Sequence, residues 1–153
     1  TQYHKIPGNF KEGHFGCVIF DTNKVATKIF RRHPTISEEH TRKVFHSEVA
    51  AYQIAMGNVI LKLITPKFYG VTSCISVLDQ NNADISSHYY LNLAYQMEAM
   101  DGTFAETGVS DPEIESIFHN AGIAYTKDCA TIMKNGKIIY VIDFATEEHE
   151  LFW

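Results

Sequence analysis

Short apolar segments separated by polar turns dominate the first two thirds of the chain and predict β-strands. Residues 17–20 and 25–30 are two such segments, joined by the turn-forming sequence Asp-Thr-Asn at 21–23. Three further apolar segments continue the pattern: 68–71, 75–78 and 90–97. Together these segments predict an antiparallel sheet of five strands.

One long helical pattern interrupts the strands. It starts at a capping-box sequence, Thr-Ile-Ser-Glu at 35–38, and continues to Met56. Its inward stripe consists of Phe45, Val49, Tyr52 and Met56. Glu48 falls on the same stripe, three residues after Phe45 and four before Tyr52. A carboxylate at this position is expected either to meet a cation inside the protein or to reach water at the edge of the stripe.

The last third of the chain predicts one further helix and a β-hairpin. The sequence Ser-Asp-Pro-Glu at 110–113 is a second capping signal, with proline at the first helical position, and the helical pattern continues to about Asn120. Asn135 and Gly136 lie between the apolar residues 130–133 and 138–142. An Asn-Gly pair between two apolar segments is a strong signal for a two-residue hairpin turn.

Two aspartates flank this hairpin. Asp128 precedes its first arm and Asp143 follows its second. Because Asp143 ends an apolar run, an unpaired carboxylate there is costly, and a cation is expected near it. Two carboxylates at one end of a hairpin can converge on a site for a metal ion and phosphate. Taken alone, Asp128 has a simpler interpretation as a solvated loop residue.

Two glycines and one lysine mark the first two strand segments. Gly13 and Gly16 precede the first segment, and glycine lets backbone N–H groups approach phosphate oxygens that a Cβ would block. A plain hairpin with glycine at its bend also accounts for the pair. Alternation places Lys28 on the face of Ala26 and Phe30, where lysine is rarely left unpaired, and Glu48 is its expected partner. A lysine that extends to water from an edge strand is the alternative.

Composition and charge restrict the classes of function. The chain has 153 residues, 45% of them hydrophobic, and a net charge of −5, which suits one soluble domain and argues against nucleic-acid binding. No apolar run approaches the roughly 20 residues of a membrane span, so no membrane partner is expected. Three cysteines without paired spacing indicate reduced thiols. The spacing of His33, His40 and His46 matches no zinc pattern.

The order of these motifs resembles that of protein kinases. The sequence Val-Ala-Thr-Lys at 25–28 is similar to the kinase strand whose lysine contacts the phosphates of ATP. Residues 97–102 resemble the kinase hinge, in which an apolar residue and a glutamate lead to a linker that ends in glycine. Residues 122–128 resemble the segment that ends in the catalytic aspartate. Asp143, followed by Phe144, resembles the start of the metal-binding turn.

The compactness of the chain narrows the resemblance to the HopBF family of bacterial type III effector kinases. This implies an α+β, minimal protein-kinase-like fold, with a five-stranded antiparallel N-lobe sheet, one αC-type helix and a strongly reduced C-lobe. The expected division is an N-lobe at 1–98, a hinge at 99–102 and a C-lobe at 103–153. Few residues follow Asp143 in this sequence, so substrate docking is expected to use something other than an activation segment. The acidic and aromatic residues at 147–153 are a candidate.

The resemblance also implies ligands, residue roles and a target. It implies Ser/Thr protein kinase activity with ATP and Mg²⁺, secretion by a bacterium into the host cell cytoplasm, and the host chaperone HSP90 as the protein substrate that is inactivated. Lys28 and Asp128 are the implied catalytic residues, Asp143 the metal ligand and Glu48 the ion-pair partner of Lys28. The implied ATP-binding residues are Gly13, His14, Phe15, Gly16, Val18, Lys28, Glu98 and Met100.

Several positions depart from the kinase pattern. Thr126 replaces the usual histidine before the catalytic aspartate, and Met133 replaces an asparagine that binds a second metal ion. Lys11 and Ala145 each replace a glycine. Since methionine is a poor ligand for magnesium, a pseudokinase-type module that binds ATP or a partner without phosphoryl transfer is the alternative. A small-molecule phosphotransferase of aminoglycoside-kinase type is disfavoured, because such enzymes need a larger helical lobe.

Overall fold

The computed structural model describes residues 1–73, 76–106 and 108–148, and its elements form an α+β fold, as predicted. The strands are β1 (Gln2–His4), β2 (Phe10–Glu12), β3 (Gly16–Phe20), β4 (Val25–Arg31), β5 (Phe68–Thr72), β6 (Ser76–Leu78), β7 (Tyr89–Glu98), β8 (Ala130–Lys134) and β9 (Lys137–Ile142). The α-helices are α1 (Glu38–Met56) and α2 (Pro112–Ala121), and short 3-10 turns cover Leu61–Leu63 and Ser86–His88.

The described residues group into two compact units. The first unit takes in residues 1–45 and those described between 69 and 99, and the second takes in 46–68 and those described from 100 to 148. The expected division into an N-lobe, a hinge and a C-lobe stays a prediction. The strand residue expected at 75 and most of the docking segment expected at 147–153 lie outside the described residues.

A five-stranded antiparallel sheet is the centre of the first unit, as predicted, with the strand order β2-β3-β4-β7-β5. One of its members differs from the prediction: the segment expected at 75–78 forms β6, which pairs with β1 outside this sheet, and β2 is the fifth strand instead. The turn between β3 and β4 is built on Asp21. Its Oδ1 accepts hydrogen bonds from the N–H groups of Asn23 at 2.7 Å and of Val25 at 3.1 Å. An aspartate side chain that bonds the backbone two residues on stabilises a tight turn, so this local signal was readable from the sequence.

One face of this sheet is covered by a small parallel ladder that the sequence did not predict. Strand β1 pairs with β6, with Gln2 opposite Ser76 and His4 opposite Leu78. The core on this face consists of Cys17, Ile19, Ile29, Val77, Tyr89 and Ala94, and Tyr3 and Phe10 pack against it. Two strands of three residues, far apart in the sequence, show too little periodicity to be detected from the sequence pattern alone.

Aromatic side chains fill the core on the opposite face. The rings of Phe30 and Phe45 meet edge to face with their centroids 5.4 Å apart. The Tyr95 ring lies 6.2 Å from Phe30 and 6.3 Å from Phe45. Phe45 belongs to the stripe predicted to face inward, so this part of α1 packs as the periodicity indicated, whereas Met56 at the end of the same stripe is 42% exposed and its predicted burial is wrong. Such edge-to-face pairs add stability beyond the area they bury.

The N-cap of helix α1 lies two residues later than predicted. The hydroxyl of Ser37, not of Thr35, accepts a hydrogen bond from the His40 N–H at 3.1 Å and is the N-cap. Thr35 instead bonds the Nδ1 atom of His33 through its backbone N–H and its hydroxyl. The acidic residues Glu38 and Glu39 then fall in the first turn, where they interact favourably with the helix dipole.

Helix α2 follows its sequence signals. The Asp111 side chain accepts hydrogen bonds from the N–H groups of Glu113 and Ile114, Pro112 is the first helical residue, and Gly122 ends the helix in the left-handed conformation with φ of 102°. The predicted helix is confirmed. Across residues 1–73, 76–106 and 108–148, neither α-helix combines the length and apolar character of a membrane-spanning segment.

Strands β8 and β9 form the predicted Asn-Gly hairpin in the second unit. Asn135 and Gly136 have φ values of 53° and 76°, the pair of positive angles that a type I′ turn requires. The register shifts between Ile132, which is opposite Tyr140, and Met133, which is opposite Ile138, so Ile139 is the extra residue of a bulge in β9. The hairpin is therefore confirmed, and it carries the two aspartates that flank it.

Candidate functional site

Backbone pairing brings the segments of Asp128 and Asp143 side by side in the second unit. On one side of them, Tyr125 and Ala145 exchange two N–H···O hydrogen bonds of 3.0 and 3.1 Å. On the other side, Ala130 pairs with Ile142 at the open end of the hairpin. Both aspartates lie between these two pairings and both are exposed. The expectation that the hairpin holds the two carboxylates at one end agrees with this arrangement.

Asp143 has an unusual backbone conformation. Its φ of 67° lies in the left-handed region, which non-glycine residues rarely adopt and which costs of order 1–2 kcal/mol. Its N–H donates a hydrogen bond of 3.3 Å to the hydroxyl of Tyr52, a side chain that is 1% exposed. Backbone strain that surrounding structure maintains is concentrated at functional sites, so this residue is the strongest candidate in the second unit.

Ser47 of α1 fixes the chain immediately after Asp143. Its hydroxyl lies 3.0 Å from the Thr146 hydroxyl and accepts hydrogen bonds from the N–H groups of Thr146 at 3.0 Å and Glu147 at 3.2 Å. Ser47 is itself buried. Together with Tyr52, it attaches the backbone at 143–147 to the second half of α1.

Aromatic packing holds the residue that follows Asp143. The Phe144 ring lies 4.5 Å from that of Tyr52 and 5.2 Å from that of Phe118 in α2. Tyr52 also stacks on Phe68, with ring centroids 5.6 Å apart and planes 8° from parallel. Because Phe144 is buried between two helices, the backbone at Asp143 has little freedom to relax.

Negative charge accumulates around these residues. Burial raises the pKa of the Tyr52 hydroxyl well above its usual value, and the charges of Asp143 and Glu48 raise it further. Burial also raises the pKa of the Cys129 thiol, with added contributions from Asp143 and Asp128. Glu48 is only 8% exposed. The carboxylates of Asp143, Asp128 and Glu48 therefore act electrostatically on the buried groups Tyr52 and Cys129.

Asp128 is held by its neighbour in the same loop. The hydroxyl of Tyr125 donates a hydrogen bond to the Oδ2 atom of Asp128. This leaves the other carboxylate oxygen to accept a proton or a hydrogen bond from a ligand. The pair Tyr125 and Ala145 fixes the backbone three residues before Asp128, so the carboxylate has a defined position in spite of its exposure.

The metal-binding role expected of Asp143 stays a prediction. The described residues contain no group of three or more histidine, cysteine, aspartate or glutamate side chains arranged to hold a metal ion. Magnesium does not need such a group, because proteins usually bind it through one or two carboxylates while substrate phosphates and water supply the other ligands.

The glycine loop of the first unit is a hairpin between β2 and β3. The Gly13 N–H donates to the Gly16 carbonyl at 2.8 Å, and His14 and Phe15 form the tip, with their rings 5.0 Å apart. A Cβ at Gly16 would lie 2.6 Å from the carbonyl oxygen of Ile29. The glycine at 16 is therefore required by the pairing of β3 with β4. Burial lowers the pKa of His14, and the charges of His33 and Arg31 lower it further.

Lys28 lies in the middle of β4, between Val18 of β3 and Tyr95 of β7 in the ladder. Its Nζ atom is 4.9 Å from the centre of the Phe30 ring. This contact places Lys28 and Phe30 on the same face, as the alternation predicted. Lys28 is only partly buried, a position in which its ammonium group has access to both the aromatic core and a ligand.

The predicted adenine-binding residues lie at the end of β7. Glu98 is the last residue of the strand and pairs with Val25, and the N–H of Ala99 donates to the Lys24 carbonyl at 2.8 Å. Met100 belongs to the second unit, as do Glu48, Asp128 and Asp143. The remaining predicted site residues belong to the first unit: Gly13, His14, Phe15, Gly16, Val18, Lys28 and Glu98. The ion pair of Lys28 with Glu48 stays a prediction.

Sequence reasoning missed three side chains that position the aspartates: Ser47, Tyr52 and Tyr125. From the sequence, Tyr52 was predicted only to be part of an apolar stripe, and no role was assigned to its hydroxyl. A weak signal was available, namely a hydroxyl-bearing residue on the inward side of a helix, since a buried hydroxyl requires a hydrogen-bond partner.

Comparison of the chain with protein-family models, with curated proteins and with solved structures finds no match.

Proposed function

We propose that the chain is an ATP-dependent Ser/Thr protein kinase with a minimal kinase-like fold. The observation that carries the proposal is the conformation of Asp143, a left-handed aspartate whose N–H is bonded to a buried tyrosine and whose segment is paired with that of Asp128. Further support comes from a five-stranded antiparallel sheet with Lys28 in its central strand and a long helix that carries Glu48.

Each residue has a definite task in this proposal. Asp143 would hold the magnesium ion, which when bound neutralises charge on the phosphates, and Asp128 would be the catalytic carboxylate. Lys28 would contact the α- and β-phosphates, with Glu48 as its partner. The backbone of Gly13 to Gly16 would lie over the phosphates, and the backbone at Glu98 and Met100 would bond the adenine edge. Phosphoryl transfer requires positioning and charge neutralisation more than covalent chemistry from the protein, so a small chain can suffice.

The proposed reaction transfers the γ-phosphoryl group of ATP to a protein hydroxyl. A new bond forms between the hydroxyl oxygen and the γ-phosphorus, while the bond from that phosphorus to the bridging oxygen of ADP breaks. The hydroxyl proton passes to the Asp128 carboxylate, and ADP retains the electron pair of the broken bond. The Tyr125 hydroxyl, bonded to Oδ2, keeps the accepting oxygen oriented.

The substrate and the setting rest on the family resemblance alone. It leads us to propose the host chaperone HSP90 as the protein that is phosphorylated and inactivated, after secretion of the chain by a bacterium into the host cell cytoplasm. The second candidate function is a pseudokinase-type module that binds ATP or a partner without transfer. Met133, 47% exposed in β8, supports it, because a thioether at that position supplies no ligand for a second magnesium ion.

The test is a transfer assay with radiolabelled ATP, purified HSP90 and eukaryotic lysate. Wild-type protein is compared with Asp128→Asn and Asp143→Asn, because asparagine preserves size and tolerates the left-handed conformation. Glu39→Gln is the matched control, a carboxylate-to-amide change at an exposed position in the first turn of α1. We expect transfer by the wild type and the control, and none by either aspartate variant.

Two outcomes would contradict the proposal. Full transfer by Asp143→Asn would remove the metal-binding role from this residue. ATP binding by the wild type without transfer to any protein would favour the pseudokinase-type module. Labelling of lysate proteins but not of HSP90 would reject the proposed target while leaving the kinase activity in place.

A further inference from the structure

A cavity of about 280 Å³ lies at the ends of β2 and β4 and the start of β7, all in the first unit. Its lining consists of Lys5, Glu12, Arg31, Arg32, His88 and Tyr89. Three of these side chains are cationic and one is a carboxylate, so the lining has an excess of positive charge. This contrasts with the net charge of −5 of the whole chain. A local concentration of cations in an acidic protein favours an anionic ligand.

Glu12 neutralises only part of this positive charge. Its two carboxylate oxygens pair separately, one with the Lys5 ammonium and the other with the Arg31 guanidinium. Lys5 also donates a hydrogen bond of 3.0 Å to the hydroxyl of Tyr89. Burial alone would lower the pKa of Lys5, but its hydrogen bonds to Glu12 and Tyr89 raise it overall, so the ammonium stays charged. The cavity therefore keeps its cations at neutral pH.

The two arginines retain donors that no described residue uses. The Nη2 atom of Arg31 donates to the Gly13 carbonyl, but its buried Nε–H has no hydrogen-bond partner within the described part of the chain. The Arg32 guanidinium lies 4.3 Å from the centre of the Tyr90 ring, and no described carboxylate pairs with it. Because a buried guanidinium donor without a partner is unfavourable, and because Arg32 lines the cavity with donors left over, a bound acceptor would be stabilising.

The geometry of these donors suits a phosphate group. Guanidinium groups present paired N–H donors that match the oxygens of phosphate or carboxylate, and stacking on Tyr90 fixes the plane of Arg32. A carboxylate carries one negative charge, whereas a phosphate monoester carries nearly two at neutral pH. After pairing with Glu12, two positive charges remain among the three cations, so the doubly charged ligand is the better match.

We propose that this cavity is a binding site for a phosphate monoester group, with Arg31, Arg32 and Lys5 as its ligands. The shared chemistry is that of a small phosphorylated molecule or of a phosphorylated serine in a protein chain. The site is separate from the residues proposed to bind ATP, although Arg31 bonds the carbonyl of Gly13 in the glycine loop. The inference does not depend on kinase activity.

The test is a titration of the isotope-labelled full chain, followed by NMR, with inorganic phosphate, free phosphoserine and a phosphoserine peptide. Sodium chloride at equal ionic strength controls for screening. We expect the signals of residues around Arg32 and His88 to shift with each phosphate ligand. In Arg32→Gln the affinity should fall roughly tenfold, because one charge-assisted pair is lost. Tighter binding of the peptide than of phosphoserine would identify a protein chain as the source of the group, and equal binding a small molecule.

Two matched variants keep the test specific. Arg42→Gln removes an exposed arginine that pairs with Glu38 in α1, and it should bind phosphate as the wild type does. If Arg32→Gln fails to fold, Arg32→Lys preserves the charge but not the paired donors and should still weaken binding. An absence of phosphate-specific shifts in the wild type would overturn the proposal, as would equal losses in Arg32→Gln and Arg42→Gln.

Discussion

Replacement of Gly16 by alanine should destabilise the first unit through a backbone clash. The added Cβ would lie 2.6 Å from the Ile29 carbonyl oxygen and 3.2 Å from both the Ile29 carbonyl carbon and the Phe30 Cα. Gly16 is opposite Phe30 in the ladder of β3 and β4, so these atoms belong to the neighbouring strand. No side-chain rotation can relieve such a contact, and the two strands must separate locally.

The size of the effect follows from two opposed terms. Forcing an extra methyl group into a packed site costs about 1–3 kcal/mol. Alanine also restricts the unfolded chain, which returns about 0.4–1 kcal/mol. The expected net loss in the free energy of unfolding is therefore about 1–2 kcal/mol, which lowers the Tm of a domain of this size by about 2–8 °C.

Thermal unfolding by circular dichroism and urea denaturation measure this change. Gly57→Ala is the matched control, because its Cβ would approach no atom closer than 3.6 Å. We expect the control to raise the Tm by about 1–4 °C, because the same restriction of the unfolded chain applies there without a clash. A Gly16→Ala protein as stable as the wild type would refute the argument from strand pairing. The result also matters for function. If Gly16→Ala is destabilised, a loss of activity in this variant would result from damage to the sheet and would not show that the glycine loop binds phosphate.

Three further predictions concern the second unit and the buried thiols. Tyr52→Phe should lower the free energy of unfolding by about 1 kcal/mol, measured in urea, because the Asp143 N–H loses its acceptor; an unchanged midpoint would contradict that hydrogen bond. In a Cys74→Ser background, Cys17 and Cys129 should react with a thiol reagent at pH 8 only after unfolding, since both are buried and their pKa values are raised. Burial raises the pKa of Cys17 to about 12 from 9.0, so the folded state keeps a proton that the unfolded state loses. Stability should therefore fall as the pH rises above about 9, and the wild type should lose more of it than Cys17→Ala does.

The sequence could predict those parts of the fold that depend on local signals. The turn at Asp21, helix α2 with its cap at Asp111 and the hairpin at Asn135 each depend on side chains within a few residues of one another. The cap of α1 was misplaced because Thr35 and Ser37 are both good capping residues, and only the contact of Thr35 with His33 separates them. The pairing of β1 with β6 depends on residues far apart in the chain, which no local pattern records.

In the candidate site too, the features that depend on local sequence were predictable and those that depend on contacts between distant residues were not. The hairpin made the neighbourhood of Asp128 and Asp143 predictable, because a two-residue turn fixes which residues stand opposite each other. The left-handed backbone of Asp143 and its bond to Tyr52 were not predictable, since they arise from the packing of α1 against the end of β9. The ligands, the target and the pairing of Lys28 with Glu48 stay predictions.

The hydrogen bonds of Ser47 and Tyr52 couple the second half of α1 to the backbone that carries Asp143. Both residues are buried, and each is bonded directly to the backbone between Asp143 and Glu147. A shift of this half of the helix would therefore be transmitted to the backbone at Asp143 and Glu147 through these hydrogen bonds.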